Sequence, residues 1–157
     1  MLFLLDHPRF ADRPAFLPSV SPKVMLKMGI FGGHYFGAKD SEKFATHAAD
    51  LPPEWFDCAA LCDDYNKRNN HFGVKAGNDY DWWFSMGLMH PADPLGWFHW
   101  YCRFYAGRRH PDDDRQISRW LKFRRWEKNI LNSVPGQIDK RPVVRQSLLH
   151  WAYNPFI

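Results

Sequence analysis

Apolar side chains recur at helical spacing in the second half of the chain, and this pattern is the first indication of the fold. The clearest case has positions i, i+3, i+4, i+7 and i+8, occupied by Trp97, Trp100, Tyr101, Phe104 and Tyr105. Residues with this spacing lie on one continuous face of a helix. Asp93 and Pro94 suit the N-cap and first turn of this helix, and Gly107 suits its end. We therefore predict a central core helix over residues 93–107.

Further helices are predicted where proline, aspartate or serine precedes an apolar periodic segment. They cover residues 23–30, 51–68, 79–88, 111–132 and 142–152, with Gly32 and Gly33 ending the first of them. Residues 69–79 contain two glycines and three asparagines, which is typical of a loop. No segment alternates apolar and polar residues as a strand does. The predicted fold class is mainly α, a single compact domain of about five helices.

The first 22 residues differ from the rest because they contain four prolines, at positions 8, 14, 18 and 22. Proline fixes φ and restricts the residue before it, so we expect an irregular N-terminal arm over residues 1–22. This arm is expected to pack on the body through Phe3, Phe10, Phe16 and Leu17. Residues 23–157 are then a single helical domain, a size that can bury a core without disulfides or metals.

The positive charge of the chain is unevenly distributed. Residues 1–80 contain nine Lys and Arg against ten Asp and Glu, whereas residues 81–157 contain twelve against seven. Residues 82–126 also contain six of the eight tryptophans. A basic and aromatic second half indicates an anionic partner, such as nucleic acid, a phosphate group or an acidic protein. Solvated helix faces with internal ion pairs would produce the same composition.

The cysteines and the N-terminal segment bear on the compartment. Cys58, Cys62 and Cys102 are odd in number and do not have the pairing pattern of a secreted disulfide framework. The opening MLFLLDHPRF is apolar for only five residues, too few for a signal peptide or a membrane span. We expect a soluble, cytoplasmic protein without a membrane partner.

Four blocks of the chain resemble a family of small proteins with the pattern GWFxWYCRxYxGRR…DxRQIxRW…RQxLLHWAY. The blocks are MGIFGGHYF (28–36), HPADPLGWFHWYCRFYAGRR (90–109), DDDRQISRW (112–120) and RQSLLHWAY (145–153). The resemblance spans about residues 25–153 but implies no activity and no catalytic residue. This chain has His34, Leu95 and His99 where the family pattern has lysine, arginine and glutamine, which weakens any role based on His34 or His99. The matching residues include His90, Trp97, Trp100, Tyr101, Arg103, Arg108, Arg109, Asp114, Arg115, Gln116, Arg119, Trp120, Arg145, Gln146, His150 and Trp151.

Residues 90–126 are the first candidate for a binding surface. In a helix, Arg115, Arg119 and Lys122 share one side at i, i+4 and i+7. Arginine pairs with phosphate oxygens through two hydrogen bonds, and tryptophan stacks on bases. The structural alternative has the tryptophans in the core and the arginines paired with Asp112, Asp113 and Asp114.

A repeated Arg-Gln dipeptide marks a second candidate site. Arg115-Gln116 and Arg145-Gln146 both lie near predicted helix starts, and His150 and Tyr153 follow the second pair. If the two helix starts meet, Arg115 and Arg145 form an anion pocket with His150 within reach. A histidine and a tyrosine there would support acid–base chemistry. The alternative is a buried polar network that orients the helices.

Metal and cofactor sites have weaker support. Cys58 and Cys62 are four residues apart and His99 and Cys102 three apart, a permissive spacing for zinc that apolar packing of cysteine explains equally well. The chain has no GxGxxG, GxxxxGK[ST], HExxH or GxSxG motif. Its glycine-rich stretch GIFGGHYFG indicates a tight turn at which backbone or aromatic side chains approach closely. We expect neither a cofactor nor a metal.

The sequence therefore favours a helical protein that binds an anionic partner. Nucleic acid or a nucleotide is the partner that agrees best with the pattern. The predicted ligand-binding residues are Arg103, Arg108, Arg109, Arg115, Gln116, Arg119, Trp120, Arg145, Gln146, His150 and Tyr153. The alternative is a metal-independent enzyme that acts on a small anionic substrate in a pocket of Arg103, Arg115, Arg145, His150 and Tyr153. Polymer binding requires an exposed basic stripe, whereas catalysis requires these arginines to converge in a concave pocket.

Overall fold

Seven α-helices lie within residues 4–157, the part of the chain that the computed structural model describes. They are α1 (Pro22–Met28), α2 (Glu42–His47), α3 (Tyr80–Ser85), α4 (Trp97–Tyr105), α5 (Asp113–Lys122), α6 (Arg124–Leu131) and α7 (Pro142–His150). Short 3-10 turns occupy Phe31–Gly33, Pro53–Phe56 and Lys67–Asn69. These residues form no strand, and the predicted mainly α single domain is confirmed. The helices outnumber the five expected because the short α2 is absent from the prediction and the predicted helix over residues 111–132 is divided into α5 and α6.

Three of the helices begin where a side-chain oxygen caps the first turn. Ser21 accepts a hydrogen bond from Val24 N at the start of α1, and Asp79 accepts one from Trp82 N at the start of α3. Ser41 caps α2, a helix that the apolar pattern did not predict. No helix in the described chain is long and apolar enough to cross a membrane.

Helix α4 is the centre of the core. Seven of its nine residues are buried, and the Trp100 side chain is fully inaccessible to solvent. Its polar groups have partners in other segments: Trp100 Nε1 donates to Asp113 Oδ1 at 2.8 Å, and Tyr101 Oη donates to Val20 O at 2.6 Å. The aromatic spacing thus correctly placed this segment in the core.

The N-terminal arm has no helix between residue 4 and the start of α1. Phe16 is fully buried, with its ring centroid 5.6 Å from that of Trp100 and 5.0 Å from that of Trp120. Phe10 is half-buried, but Leu17 is exposed instead of packed. The prediction for Phe3 falls outside the described residues. The arm therefore contributes core side chains, with Phe16 as its main anchor.

The predicted helix over residues 51–68 is wrong. Helical structure there is limited to the 3-10 turn Pro53–Phe56 and the start of the 3-10 turn Lys67–Asn69. Between these turns the backbone forms hydrogen bonds to residues 29–37, which we call the glycine turn. The backbone amide of Cys62 donates to Gly33 O at 3.0 Å and that of Asn66 donates to Gly32 O at 3.1 Å. A side chain on Gly33 would lie 2.3 Å from Ala60 O, so this approach requires glycine. Long-range backbone hydrogen bonds have replaced the local helical ones.

Two helix boundaries also differ from the prediction. Asp93 does not cap α4, whose N-cap is Gly96; it is instead fully buried and bound to Arg103 and Arg108. The predicted helix over residues 111–132 is divided into α5 and α6 at Phe123. The amides of Phe123 and Trp126 there bond three residues back, and the Phe123 ring stacks on Trp151 with centroids 5.0 Å apart. Tertiary packing of this ring accompanies the break.

The burial of Trp100 leads to the first prediction. Replacing Trp100 with alanine removes a buried ring and the donor to Asp113 Oδ1, so we expect the free energy of unfolding to fall by about 3–5 kcal/mol. Urea denaturation measures the change. Trp82→Ala is the matched control because Trp82 is 41% exposed, and it should change stability by under about 1 kcal/mol. Equal stability of the two variants would contradict the central role of α4.

Candidate functional site

A cavity of about 260 Å³ lies where α3, α5 and the end of α7 meet the start of α4. Its volume is near the lower end of the range for small-molecule sites, which suits one small ligand. The glycine turn contributes part of the wall, with Phe31, His34 and Tyr35. The remaining lining residues are Lys43, Tyr65, Lys75, Ala76, Gly77, Asn78, Asp79, Tyr80, Trp83, Met89, Leu95, Gly96, Trp97, Phe98, Arg119, His150 and Trp151.

Aromatic rings form most of the cavity wall. Trp97 and Trp151 are tilted against each other with centroids 4.9 Å apart, and Trp83 lies 6.3 Å from Trp151. On another part of the wall, Phe31 stacks on His150 at 4.2 Å. These flat surfaces are suited to holding a planar ring.

Arg119 is the cation that lies against these aromatic rings. Its guanidinium carbon lies 5.7 Å from the Trp83 ring centroid and 5.4 Å from that of Trp151, a cation–π arrangement with both. Its hydrogen bond goes to Gln116 Oε1 at 2.9 Å. Within residues 4–157 no carboxylate lies within ion-pair distance of it.

The charge of Arg119 is therefore uncompensated in a partly desolvated position. Burial, together with the nearby positive charge of Arg115, lowers the pKa of Arg119 to about 10, so the guanidinium stays protonated at neutral pH. An anion entering the cavity would find a charged donor that is already oriented and has no competing carboxylate. The side chain has the properties of an anion anchor.

His150 contributes a neutral donor to the same cavity. Its Nε2 accepts from Phe31 N at 3.1 Å and from Gln146 Nε2 at 3.0 Å, so the ring proton is on Nδ1. Nδ1 lies beside Gly77, which lines the cavity. Burial lowers the pKa of His150 to about 3, so the ring is neutral across the physiological range. It can donate one hydrogen bond to a ligand but is a weak proton acceptor.

Gln146 fixes this tautomer by donating to His150 Nε2, and both polar atoms of its own side chain have hydrogen-bond partners. Its Oε1 accepts from Phe72 N at 3.0 Å, and its Nε2 also donates to Gly29 O at 3.0 Å. Gln146 is completely buried and does not line the cavity. Its position makes it a support for His150 and for the glycine turn.

Four of the predicted binding arginines are engaged in ion pairs. Arg103 and Arg108 share Asp93, with nitrogen–oxygen distances of 3.1 and 2.6 Å. The other pairs, each at 2.6 Å, are Arg109 with Asp12 and Arg115 with Asp112. The alternative in which arginines pair with nearby aspartates describes Arg115 well, since Asp112 is within the same turn of chain. None of these four arginines lines the cavity.

Arg145 is fully buried and is held by main-chain carbonyls. Its guanidinium donates to the carbonyls of Val134, Gln137, Lys140, Pro155 and Ile157 at 2.7–3.0 Å. It therefore fastens the last two loops of the chain to α7. Tyr153 Oη donates to Trp120 O, and the Trp120 ring stacks on that of Tyr153 in the core.

The structure does not bring Arg115 and Arg145 to one site. They share no hydrogen-bond partner, and the two Arg-Gln dipeptides serve different purposes. Of the five residues predicted for an enzyme pocket, His150 lines the cavity and the others do not. From the longer list of predicted binding residues, Arg119 joins it. Gln116 lies behind Arg119 as its hydrogen-bond acceptor.

The residues considered for zinc lie in separate surroundings. Cys62 Sγ contacts the carbonyls of Gly32 and Asp64, and Cys102 is buried in the core. His99 Nε2 donates to His47 O at 3.1 Å. No group of three or more His, Cys, Asp or Glu side chains in the described chain is arranged to hold a metal ion.

Several lining residues were missed at the level of sequence. Trp83 falls within the predicted helix over residues 79–88, and Lys43 and Lys75 are single lysines in segments of mixed composition, so no pattern marks them. The glycine stretch was the one available signal. It was interpreted as a turn at which aromatic side chains approach closely, and Phe31 and Tyr35 do line the cavity.

Comparisons of the chain with protein-family models, with curated proteins and with solved structures find no match. The resemblance in the sequence therefore stays a prediction. Function has to be argued from the cavity itself.

The pKa of His150 predicts the response of the protein to acid. An unfolded histidine titrates near 6.5, so between about pH 6.5 and pH 3 the unfolded chain binds a proton that the folded chain does not. The free energy of unfolding should fall across this window, by on the order of 4 kcal/mol from His150. His99, whose pKa burial lowers to about 4, adds a change in the same direction.

Urea denaturation at pH 7 and pH 4 measures this loss. His150→Gln keeps an acceptor for the Phe31 amide but cannot titrate, so its loss of stability between the two pH values should be smaller than that of the wild type. An identical loss in both proteins would show that His150 is solvated instead of buried.

Arg145 is predicted to matter for stability and not for ligand binding. Arg145→Gln leaves buried carbonyls without donors and should lower the free energy of unfolding by at least about 3 kcal/mol. Arg141→Gln is the matched control, because Arg141 is exposed and makes one side-chain hydrogen bond, to Asn129 Oδ1. Denaturation curves that superimpose for the two variants would contradict the structural role of Arg145.

Proposed function

We propose that this protein binds a small organic anion whose planar ring enters the aromatic cavity and whose acidic group meets Arg119. A nucleoside monophosphate is the member of this class that best agrees with the partner expected from the sequence. The observation that carries the proposal is the partly buried side chain of Arg119, which lines the cavity beside two tryptophan rings and has no carboxylate within ion-pair distance.

The chemistry of the lining supports an anion over a cation or a neutral molecule. Three cationic side chains, Lys43, Lys75 and Arg119, line the cavity against one carboxylate, that of Asp79. Asp79 Oδ1 already accepts from Trp82 N at 2.9 Å. An excess of positive charge beside stacked rings is the pattern that recognises a ring with a phosphate or carboxylate attached.

A small ligand has better support than a nucleic-acid polymer. Most of the arginines that would have formed a basic stripe are paired with aspartates, and Trp97, Trp100 and Trp120 are buried. The concave shape and the volume of the cavity suit one molecule. Polymer binding would have to use exposed cations elsewhere, such as those of α6.

The enzyme alternative gains no specific observation. His150, the one member of the predicted enzyme pocket that lines the cavity, has a pKa too low for efficient proton transfer at neutral pH. Burial also raises the pKa of Tyr153 well above its usual value, and its hydroxyl is bound to Trp120 O. We therefore propose binding without assigning a reaction. The three free cysteines support a reducing, cytoplasmic location as part of this proposal.

Calorimetric titration with AMP, adenosine and a single-stranded oligonucleotide tests the proposal. AMP should bind more tightly than adenosine, because only AMP has an acidic group for Arg119. Arg119→Gln should weaken AMP binding about 10- to 150-fold, the value of hydrogen bonds to a charged group. Arg125→Gln removes the same charge from an exposed site outside the cavity and should leave AMP binding within about twofold.

Two outcomes would overturn the proposal. One is that AMP does not bind the wild-type protein, or that it binds the wild type and Arg119→Gln with the same affinity. The other is oligonucleotide binding that is tighter than AMP binding and depends on Arg125 instead of Arg119, which would favour a polymer on the surface of α6.

A further inference from the structure

A second cationic group lines the same cavity, away from Arg119. Lys43 Nζ donates to the carbonyl of His34 at 3.1 Å, and the His34 ring meets Tyr65 edge-on with centroids 5.2 Å apart. Lys75 Nζ lies 6.0 Å from the centroid of Tyr65. Both lysines therefore contact one small group of residues, which we call the lysine group: His34, Lys43, Tyr65 and Lys75.

The lysine group, like Arg119, forms no ion pair within the described chain. No acidic side chain of residues 4–157 lies within ion-pair distance of Lys43 or Lys75. Asp63 acts on Lys43 only from a greater distance: burial, the larger effect, lowers the pKa of Lys43, and the charge of Asp63 raises it. Both lysine side chains remain exposed to solvent. The two ammonium groups would gain from an anion that approaches through the cavity.

The lysine group and Arg119 have different neighbours in the cavity wall. Arg119 contacts Gln116, Trp83 and Trp151, whereas the lysines contact His34 and Tyr65. Within residues 4–157, no hydrogen bond or ion pair joins Arg119 to the lysine group.

Phe31 is part of the wall of the same cavity. It stacks on His150 at 4.2 Å and is tilted against Tyr35 at 4.6 Å, and all three line the cavity. The Tyr35 hydroxyl is already occupied, since it donates to Leu95 O and accepts from His99 N. This stretch of wall therefore offers ring faces and the Nδ1–H of His150, with no charged group.

We propose that the natural ligand carries two acidic groups separated by a planar body, one bound by Arg119 and the other by Lys43 and Lys75. This inference rests on the proposed function and narrows the ligand class from organic anions to those with an acidic group at each of two ends. AMP, with a phosphate at one end, is then a probe of the Arg119 end alone. Each acidic group would meet cations that lack a partner, and the body would lie against Phe31 and the tryptophans. A ligand with one acidic group would leave one set of cations uncompensated.

A matched pair of ligands tests the second acidic group: 2-naphthoate and naphthalene-2,6-dicarboxylate. They share one rigid planar body and differ by a carboxylate at its far end. In calorimetric titrations at low salt, the dicarboxylate should bind about fivefold more tightly than the monocarboxylate, the sum of two partly exposed ion pairs. The Lys43→Gln/Lys75→Gln double variant should abolish this advantage, so that the two ligands bind with equal affinity.

The control is the Lys27→Gln/Lys128→Gln double variant, which makes the same change of charge at exposed positions outside the cavity. It should retain the dicarboxylate advantage. Equal affinity for the two ligands, or an advantage that survives in the Lys43→Gln/Lys75→Gln protein, would overturn the second subsite. In that case 2-naphthoate binding that is weakened by Arg119→Gln would still support the proposed function. Failure of both ligands to bind would overturn the subsite and count against the anion pocket as a whole.

Discussion

The structure depends on the burial of α4, a helix that is surrounded by protein on almost every side. A helix in that position must have a partner for each polar group that it takes out of water, because an unsatisfied buried donor costs about 1–3 kcal/mol. Trp97 and Trp100 therefore bind α5, Tyr101 binds the N-terminal arm, and His99 binds the residues that end α2. Each hydrogen bond fixes one neighbouring segment in place. The arrangement of the domain follows from satisfying this one helix.

The same requirement explains why so few arginines are available for a ligand. The basic second half of the chain is partly neutralised by acidic residues from the first half, as in the pairs of Arg109 with Asp12 and of Arg103 with Asp50. These pairs bind the arm and the loop after α2 to the C-terminal end of α4 and the turn that follows it. Arg119 differs because it lies on α5 beside two tryptophans, with no aspartate within ion-pair distance. Of the arginines that suggested a binding site, most are therefore neutralised inside the protein.

The candidate site could be predicted from the sequence only in part. Arg119 and His150 were identified because their residue types suit anion binding, and both line the cavity. Arg145 looked equally suitable, since nothing in the sequence shows that five carbonyls from two loops surround its guanidinium. Lys43 is far along the chain from Trp83 and Lys75, and these two belong to different elements, α3 and the loop before it. Their shared role depends on contacts that no local pattern records.

By itself, the sequence determined the helical class, the aromatic face of α4 and the starts of α1, α3 and α7, because helical periodicity and capping are properties of neighbouring residues. Tertiary structure decided whatever depended on distant partners. The segment over residues 51–68 has helical periodicity, yet it gives its backbone hydrogen bonds to the glycine turn. Asp93 has the features of an N-cap, yet it is buried and forms ion pairs with two arginines. Whether an arginine is structural or available to a ligand is likewise set by which carboxylates and carbonyls folding brings within hydrogen-bond distance.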